Sequence, residues 1–401
     1  MSVPYLFRSS WIGAPTLSGT VGQGIIPILK ACLIDGFNTK TLDSLSQIDG
    51  LATATVTAGH GFNRDSPDTV RVRIAGAGDA KYNGDFLIRV TGAGTFTYPV
   101  DPAAPAIATG VITVKVAPLD WEIAFDPGDG LRCVFRSKDP LSKKFFLRIL
   151  DKHDNPSQDG NYRNSYKTAT AWMYENMTDV DNGTGSAKVY WNRAQSLNAT
   201  AHPWILIGDG RRFWLMTQWS DSFINWNPHF FGDVYSFKPG DRFNVVIAGM
   251  QACSWVDWDG TENGYATGSM QSVWSGVGNN GMYIARPHFG LGGSVNIHMI
   301  GPYAGWMGRH AATTFPNPCD GGMFVSPPLM IQESGAFPTF RGIMPGILSP
   351  LNLWPVDVNK QYSEYFDGFM ICGTPRKMLC HRGVYRDGGD RIAFDLTGPW
   401  E

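Results

Sequence analysis

Charge is scarce in this sequence. Asp, Glu, Lys and Arg together make up 17% of it and leave a formal net charge of -2, so no basic field exists to hold a phosphate backbone and nucleic acid is not expected as a partner. No apolar run reaches the roughly 18 residues that a membrane-spanning helix needs, so membrane insertion is not expected and the chain reads as soluble. The opening MSVPYLFRSSWIG lacks the basic start, apolar stretch and small-residue cleavage site of a secretory signal, and export by that route is not expected. The six cysteines, Cys32, Cys133, Cys253, Cys319, Cys372 and Cys380, are widely spaced and include no C-x-x-C pair. Neither a disulfide framework nor a zinc ribbon follows, and free, mostly buried thiols are expected.

Motifs of catalysis are missing as well. The eight histidines, His60, His153, His202, His229, His288, His298, His310 and His381, form no H-E-x-x-H and no i, i+4 pair, so a helical zinc site is not written here. No G-x-S-x-G elbow, P-loop or strand-to-helix G-x-G-x-x-G occurs. The glycine-rich pieces GAGDA and GAGTF lie in β turns, where glycine serves backbone shape. Two acidic turns, DWDGTE (Asp257, Asp259, Glu262) and DVDNGTG at 179–185, have the oxygen-rich spacing of a Ca²⁺ loop but not its full ligand set. They read as solvated turns. A glycosidase would need two facing carboxylates about 5 to 9 Å apart. Glu333, Asp367, Asp257 and Glu262 are the candidates, without any spacing that sets them apart.

What the chain does have is glycine, proline and aromatic residues: 47 Gly, 26 Pro, 14 Trp, 14 Tyr and 23 Phe. That mixture suits many short strands joined by tight turns, and a mainly β fold is expected. At 401 residues, two or three domains are expected. One helix is predicted near the start: Thr20 as cap, Gln23 completing a capping box, then IIPILKACL up to a stop at Gly36, with Pro27 limiting its length. From residue 49 the period changes to alternation. Val70, Val72 and Ile74 alternate with Arg71 and Arg73; Ile112, Val114 and Val116 alternate with Thr113 and Lys115; Thr53, Thr55 and Thr57 alternate with Ala54 and Val56. KYNGDFLIRVTGAGTFTYPV at 81–100 reads as a hairpin with Phe86, Ile88 and Val90 on one face and Asp85 and Arg89 on the other. DPAAPAIATG, which follows it, reads as a long rigid loop.

Beyond residue 117 the chain is Trp-rich. PWILIGDG and RRFWLMTQW form a second predicted hairpin around Gly208, Asp209 and Gly210, with Trp204, Trp214 and Trp219 read as core or interface residues rather than a sugar-stacking platform. RFNVVIAGM, GGSVNIHMI and MFVSPPLMI are further strands, and the polar stretch 255–283 is read as a surface loop. The expected organisation is an N-terminal helical segment (1–48), a small β-sandwich or barrel module inserted after it (49–117), and a large β region of sandwich type (118–401).

Residues 52–117 resemble a small β module that recurs in structural proteins of tailed bacteriophages. The likeness is carried by Ala52 to Thr57, His60-Gly61-Phe62, Tyr82-Asn83-Gly84, Phe96-Thr97-Tyr98 and Ala108-Thr109-Gly110. The surrounding chain is similar to a family of tailed-phage virion proteins through GAPTLSG (13–19), ACLIDGF (31–37), APLDWE (117–122), MTDVDNGTG (177–185), PWILIGDGRRFW (203–214), FFGDVYSFKPGDRF (230–243), RGIMPGI (341–347) and DLTGPW (395–400). The resemblance implies a virion component of the tail or baseplate, and it brings no catalytic residue with it. The expectation is therefore a structural protein that is not an enzyme, holds no cofactor or metal, and acts by assembling with copies of itself in a symmetric homo-oligomer and with other phage virion proteins. The alternatives are a module that binds host-surface glycan, through Trp255 or Trp258, and an envelope-degrading hydrolase.

Overall fold

The computed structural model describes residues 3–62, 70–151, 168–194, 198–218, 226–249, 281–300, 330–333, 339–348, 364–371, 374–382 and 391–400. Among the described residues strands account for 46% and helix for 5%, which is the mainly β class that the composition implies.

The small module is a sandwich of two four-stranded antiparallel sheets. One runs in the order Phe37–Thr41, Thr113–Val116, Arg71–Ala75, Gly84–Leu87; the other in the order Ser44–Ile48, Leu51–Thr55, Thr95–Pro99, Arg89–Val90. Alternation decides which side chains fill it: Ala52, Ala54, Val70, Val72, Ile74, Phe96, Tyr98, Ile112, Val114 and Val116 are buried, while Arg71, Arg73 and Lys115 are half-exposed. The sheets take two strands from before residue 49, Phe37–Thr41 and Ser44–Ile48. Asp49 and Gly50, both at positive φ (50° and 81°), make the two-residue turn from Ser44–Ile48 into Leu51–Thr55, a conformation that suits the twist of a tight hairpin.

The predicted hairpin over 81–100 divides instead between the two sheets. Gly84–Leu87 pairs with Arg71–Ala75 in one sheet, and Arg89–Val90 pairs with Thr95–Pro99 in the other. Ile88, 1% exposed, is the crossing point. The apolar period stays unbroken because both sheets face the same core, so alternation alone does not reveal a strand that changes sheets.

The predicted helix forms with a different start. Ile25–Leu29 is α-helical and continues as a wider π turn over Lys30–Asp35, ending at Gly36 with φ 70°. Its N-cap is Gly24, without a side-chain cap. In place of Thr20, the buried carboxylate of Asp151 accepts from the Ile26 N–H at 3.2 Å. Gln23 belongs to the preceding turn, where its side chain accepts from the Ser18 hydroxyl at 2.7 Å and its N–H donates to the Thr20 carbonyl. Pro27 occupies the first turn, where its missing N–H costs nothing.

Asp151 also meets Arg193 at 3.2 Å, with side-chain exposures of 2% and 0%. Arg193 donates onward to the carbonyls of Ser18 and Thr20 at 2.9 and 2.7 Å. One ion pair thus joins the ends of two strands to the N-terminal segment.

The large region stacks a five-stranded antiparallel sheet, ordered Glu122–Phe125, Arg132–Arg136, Phe146–Leu150, Thr168–Tyr174, Ala187–Asn192, on a ten-stranded one. The larger sheet begins with Tyr5–Arg8, then Trp204–Gly208, Arg212–Thr217, Asn227–Asp233, Val245–Ala248, Met282–Ile284, Val295–Ile300, Met330–Glu333, Phe340–Ile343 and Tyr235–Ser236. Only Val234 separates Asn227–Asp233 from Tyr235–Ser236, so the sheet curls until its last strand returns to the chain run that supplied its fourth. A third sheet, Ile347–Leu348, Arg391–Asp395, Thr374–Arg382, Glu364–Ile371, lies at the C-terminal end.

The predicted hairpin around Asp209 forms over Trp204–Thr217, with Trp204 opposite Thr217 and Gly208 opposite Phe213, and both strands are buried along their whole length. Tryptophan joins the layers. Five buried indole N–H groups reach backbone carbonyls: Trp191 to Ala248 at 3.0 Å, Trp204 to Pro15 at 2.8 Å, Trp214 to Pro345 at 3.0 Å, Trp121 to Asp209 at 3.2 Å and Trp400 to Asp395 at 2.7 Å. A ring that buries a large apolar surface and still satisfies its donor suits a core between sheets.

Gly24 has no room for a side chain, because a Cβ there would sit 1.9 Å from Asp151 Oδ2. Gly24→Ala must push that carboxylate away from both Ile26 and Arg193, and breaking a buried ion pair costs about 3–5 kcal/mol. A lowered urea midpoint of the full chain is expected; an unchanged midpoint refutes this role of the pair.

Candidate functional site

Several residues singled out for chemistry turn out to hold the fold. Trp204 and Trp214 are 0% and 1% exposed, which removes them as sugar-stacking faces. Trp219, Trp255, Trp258, Asp257, Asp259 and Glu262 lie outside the described residues. Glu333 ends the strand Met330–Glu333 and Asp367 lies in Glu364–Ile371, on two different sheets. The DVDNGTG turn is closed internally: Asp179 accepts from the backbone N–H groups of Asp181 and Asn182 at 2.8 and 2.9 Å. The Asp181 carboxylate is held by Arg148 at 2.6 Å and by Arg132. Its oxygens are committed to guanidinium groups, and among the described residues no group of His, Cys, Asp and Glu gathers as metal ligands.

The motif residues of the small module are also accounted for by packing. His60 hydrogen-bonds the Gly92 carbonyl through Nε2 at 2.9 Å, and its Nδ1 accepts from the Phe62 N–H at 2.9 Å. Its ring stacks on Phe62 at 5.1 Å and meets Phe96 edge-on at 5.6 Å. The Asn83 amide bonds the Ala77 backbone in both directions, at 3.0 and 2.9 Å. Cys32 and Cys133 are free and buried. Burial raises both thiols above their ordinary range, Cys133 to about 12, so neither is a ready nucleophile.

Asp85, read from alternation as part of an outward polar face, is occupied within the chain. Arg73 grips it through Nε and Nη2, both at 2.7 Å, and the Tyr5 hydroxyl donates to it at 3.0 Å. The same guanidinium reaches Asp120 at 2.8 and 2.6 Å, while Arg71 lies over the Tyr5 ring. This network ties the small sandwich to the first strand of the large sheet. Arg89 remains exposed.

Two buried titratable groups carry large shifts. His229 is fully buried beneath Trp191, ring stacked on ring at 5.6 Å, and desolvation pushes its pKa down to about 3, so it is neutral. Asp233 is raised to about 6 by burial, which outweighs the nearby Arg212, Lys143 and Arg211 charges. Its carboxylate accepts from the Lys143 backbone N–H at 3.1 and 3.4 Å. The sequence singled out neither group: Asp233 lies within FFGDVYSFKPGDRF without a role of its own, and His229 is one of eight histidines that no spacing distinguishes.

Among the described residues the surface carries exposed apolar groups. Tyr235, Phe237 and Phe340 are 38%, 50% and 50% exposed, and Phe289 and Leu291 are 70% and 71% exposed. Tyr235 and Phe237 lie beside the strand that carries Phe340, Tyr235 opposite Ile343 and the Phe237 N–H donating to the Arg341 carbonyl, and the Lys238 side chain reaches the loop of Phe289 at the His288 carbonyl, 2.7 Å away. A second group, Ile48, Leu51 and Ile107, flanks the Asp49-Gly50 turn of the small module.

No protein-family model matches this chain, and no curated protein matches it. Among solved structures it is similar to Phage phi92 endosialidase, at 11% sequence identity and a TM-score of 0.17, over 90% of this chain and 52% of that one. The chain thus spans about half the length of that protein, and an overlap this loose carries no argument about fold or mechanism. The similar protein is an enzyme by name. The expectation that this chain is not an enzyme does not stand beside that finding and is withdrawn.

The two shifted groups act on stability with opposite sign. His229 stays neutral when folded down to about pH 3 but protonates near its ordinary value when unfolded, so its stabilising contribution is lost as pH falls below that value. Asp233 keeps its proton up to about pH 6 when folded and releases it near 4 when unfolded, so its contribution is lost as pH rises through that window. Between about pH 4 and 6 the two slopes offset. Asp233→Asn removes one of them, and its unfolding free energy is expected to fall by up to about 1.4 kcal/mol per pH unit more steeply than that of the native chain as pH drops below 6. Urea titrations across this range check it; parallel curves for the two chains refute it.

Proposed function

We propose that this chain is a virion protein of a tailed bacteriophage, in the tail or baseplate region, that works by assembling with further copies of itself and with other virion proteins. The observation that carries this reading is the exposed set Tyr235, Phe237, Phe289, Leu291 and Phe340 on the curl of the ten-stranded sheet. Exposed aromatic groups gathered in one area of a protein are disfavoured in water and mark contact surfaces. Copies of the same chain are the occupant to which we commit. A net charge of -2 over 401 residues leaves little repulsion between copies, and a symmetric contact lets one aromatic patch serve both sides. The motifs shared with tailed-phage virion proteins supply the setting. Among the described residues, each resemblance motif whose contacts are set out above serves a turn, a packed ring or a strand end, as suits a part selected for shape.

Glycan binding remains an outcome of the test rather than a second proposal, since the tryptophans that would favour it are buried or outside the described residues. The experiment compares the native chain with Phe237→Asp/Phe340→Asp by sedimentation velocity. A discrete oligomer for the native chain and at least a tenfold weaker association for the variant are expected, because placing charge in a desolvated aromatic contact costs more than the about 1.4 kcal/mol that a factor of ten represents. A native chain that stays monomeric at high concentration, or that binds host-surface glycan or releases sugar from it, overturns the assembly reading. Mass spectrometry of intact particles tests the virion setting independently.

A further inference from the structure

Three polar side chains, Thr217, Asn227 and His229, and the backbone N–H of Asn192 meet between the two large sheets, and two of those side chains, Asn227 and His229, keep hydrogen-bonding capacity unused. Thr217, Asn227 and His229 share one face of the ten-stranded sheet, Thr217 lying opposite Asn227 in register and His229 two residues further along the same strand. The Asn192 backbone closes the group from the end of the five-stranded sheet. Asn192 is 2% exposed and the other three are 0% exposed.

The bonding pattern fixes the state of the histidine. The Asn192 backbone N–H donates to His229 Nε2 at 3.1 Å, so Nε2 carries the lone pair, and the Thr217 hydroxyl lies 3.4 Å from the same nitrogen. In a neutral imidazole the proton is then on Nδ1. That N–H is buried without a partner, as are both ends of the Asn227 amide. The unused set is therefore two donor nitrogens and one acceptor oxygen. Buried polar groups in folded proteins are satisfied almost without exception, by protein or by ordered water.

We propose that this space is a built internal hydration site, in which at least one ordered water accepts from His229 Nδ1–H and bridges to the Asn227 amide. A metal ion does not suit it, because the nitrogen free to coordinate carries the proton. An anion does not suit it either, because every unused donor is uncharged. The one guanidinium next in sequence, Arg193, is directed to the Ser18 and Thr20 carbonyls and to Asp151. Water both accepts and donates, and so matches a mixed set of donors and one acceptor.

Two measurements on the full native chain test this. Imidazole ¹⁵N spectra are expected to show His229 as the Nδ1–H tautomer at neutral pH; the Nε2–H tautomer or an imidazolium overturns the assignment. A high-resolution crystal structure grown in bromide is expected to show water density within hydrogen-bond distance of Nδ1 and Asn227, with no anomalous peak. A dry space, or a bromide peak in it, overturns the proposal. Asn227→Leu adds a third readout: loss of that water and faster solvent exchange of the Nδ1 proton are expected, and an exchange rate equal to the native one overturns the bridge.

Discussion

Asp151 and Arg193 hold together stretches of chain that alternation and turn chemistry leave unconnected. Both side chains are almost fully removed from water, and the desolvation of two such charges is several kcal/mol per ion before any return. The arrangement is sustained because the charges are not merely adjacent. The carboxylate takes the Ile26 N–H, and the guanidinium takes the Ser18 and Thr20 carbonyls. The helix start, the turn before it and the ends of two strands of the five-stranded sheet thus share one electrostatic centre. The N-terminal segment is therefore built into the large region, and the tryptophan between Ser9 and Pro15 on one side and the sheet on the other, Trp204, repeats the attachment through a neutral hydrogen bond.

How far the sequence could be read follows from the range of the forces involved. Alternation is local, and Val72, Ile74, Val114, Val116, Phe96 and Tyr98 all lie where period two places them. The hairpin around Asp209 was legible for the same reason, since its turn chemistry and its strands are contiguous. The start of the helix was not. Thr20 and Gln23 have the spacing of a capping box, yet the cap comes from Asp151, more than a hundred residues away, and a local motif has no means of registering a distant carboxylate. The crossing at Ile88 was hidden because a strand passing from one sheet of a sandwich to the other keeps its apolar side inward throughout.

The polar residues were read least well, again for a physical reason. Asp85 alternates outward and looked free, but outward from one small sheet is inward against Tyr5 of another. Whether a polar face meets water or a neighbouring layer is decided by docking between modules. Asn192, Asn227 and His229 carry no motif at all. Their significance lies in the bonds they leave unmade after folding, a property that exists only in three dimensions.

At the seam between the small sandwich and the large sheet, charge sets how the two layers are oriented. Arg73 presents a planar fork to Asp85 on the neighbouring strand and to Asp120 in the segment that leaves the sandwich, and a guanidinium between two carboxylates fixes direction as well as distance. Tyr5 adds a hydroxyl from the large sheet to the same centre. Because this network is only partly buried, its energetic worth is modest, but its geometry restricts rotation of one layer against the other. The fold thus assigns strength to its apolar layers and orientation to its charges. Among the described residues, two of the ion pairs, Asp151–Arg193 and Arg73–Asp85, sit where separate parts of the fold meet, and there a few charges settle how the apolar layers are aligned.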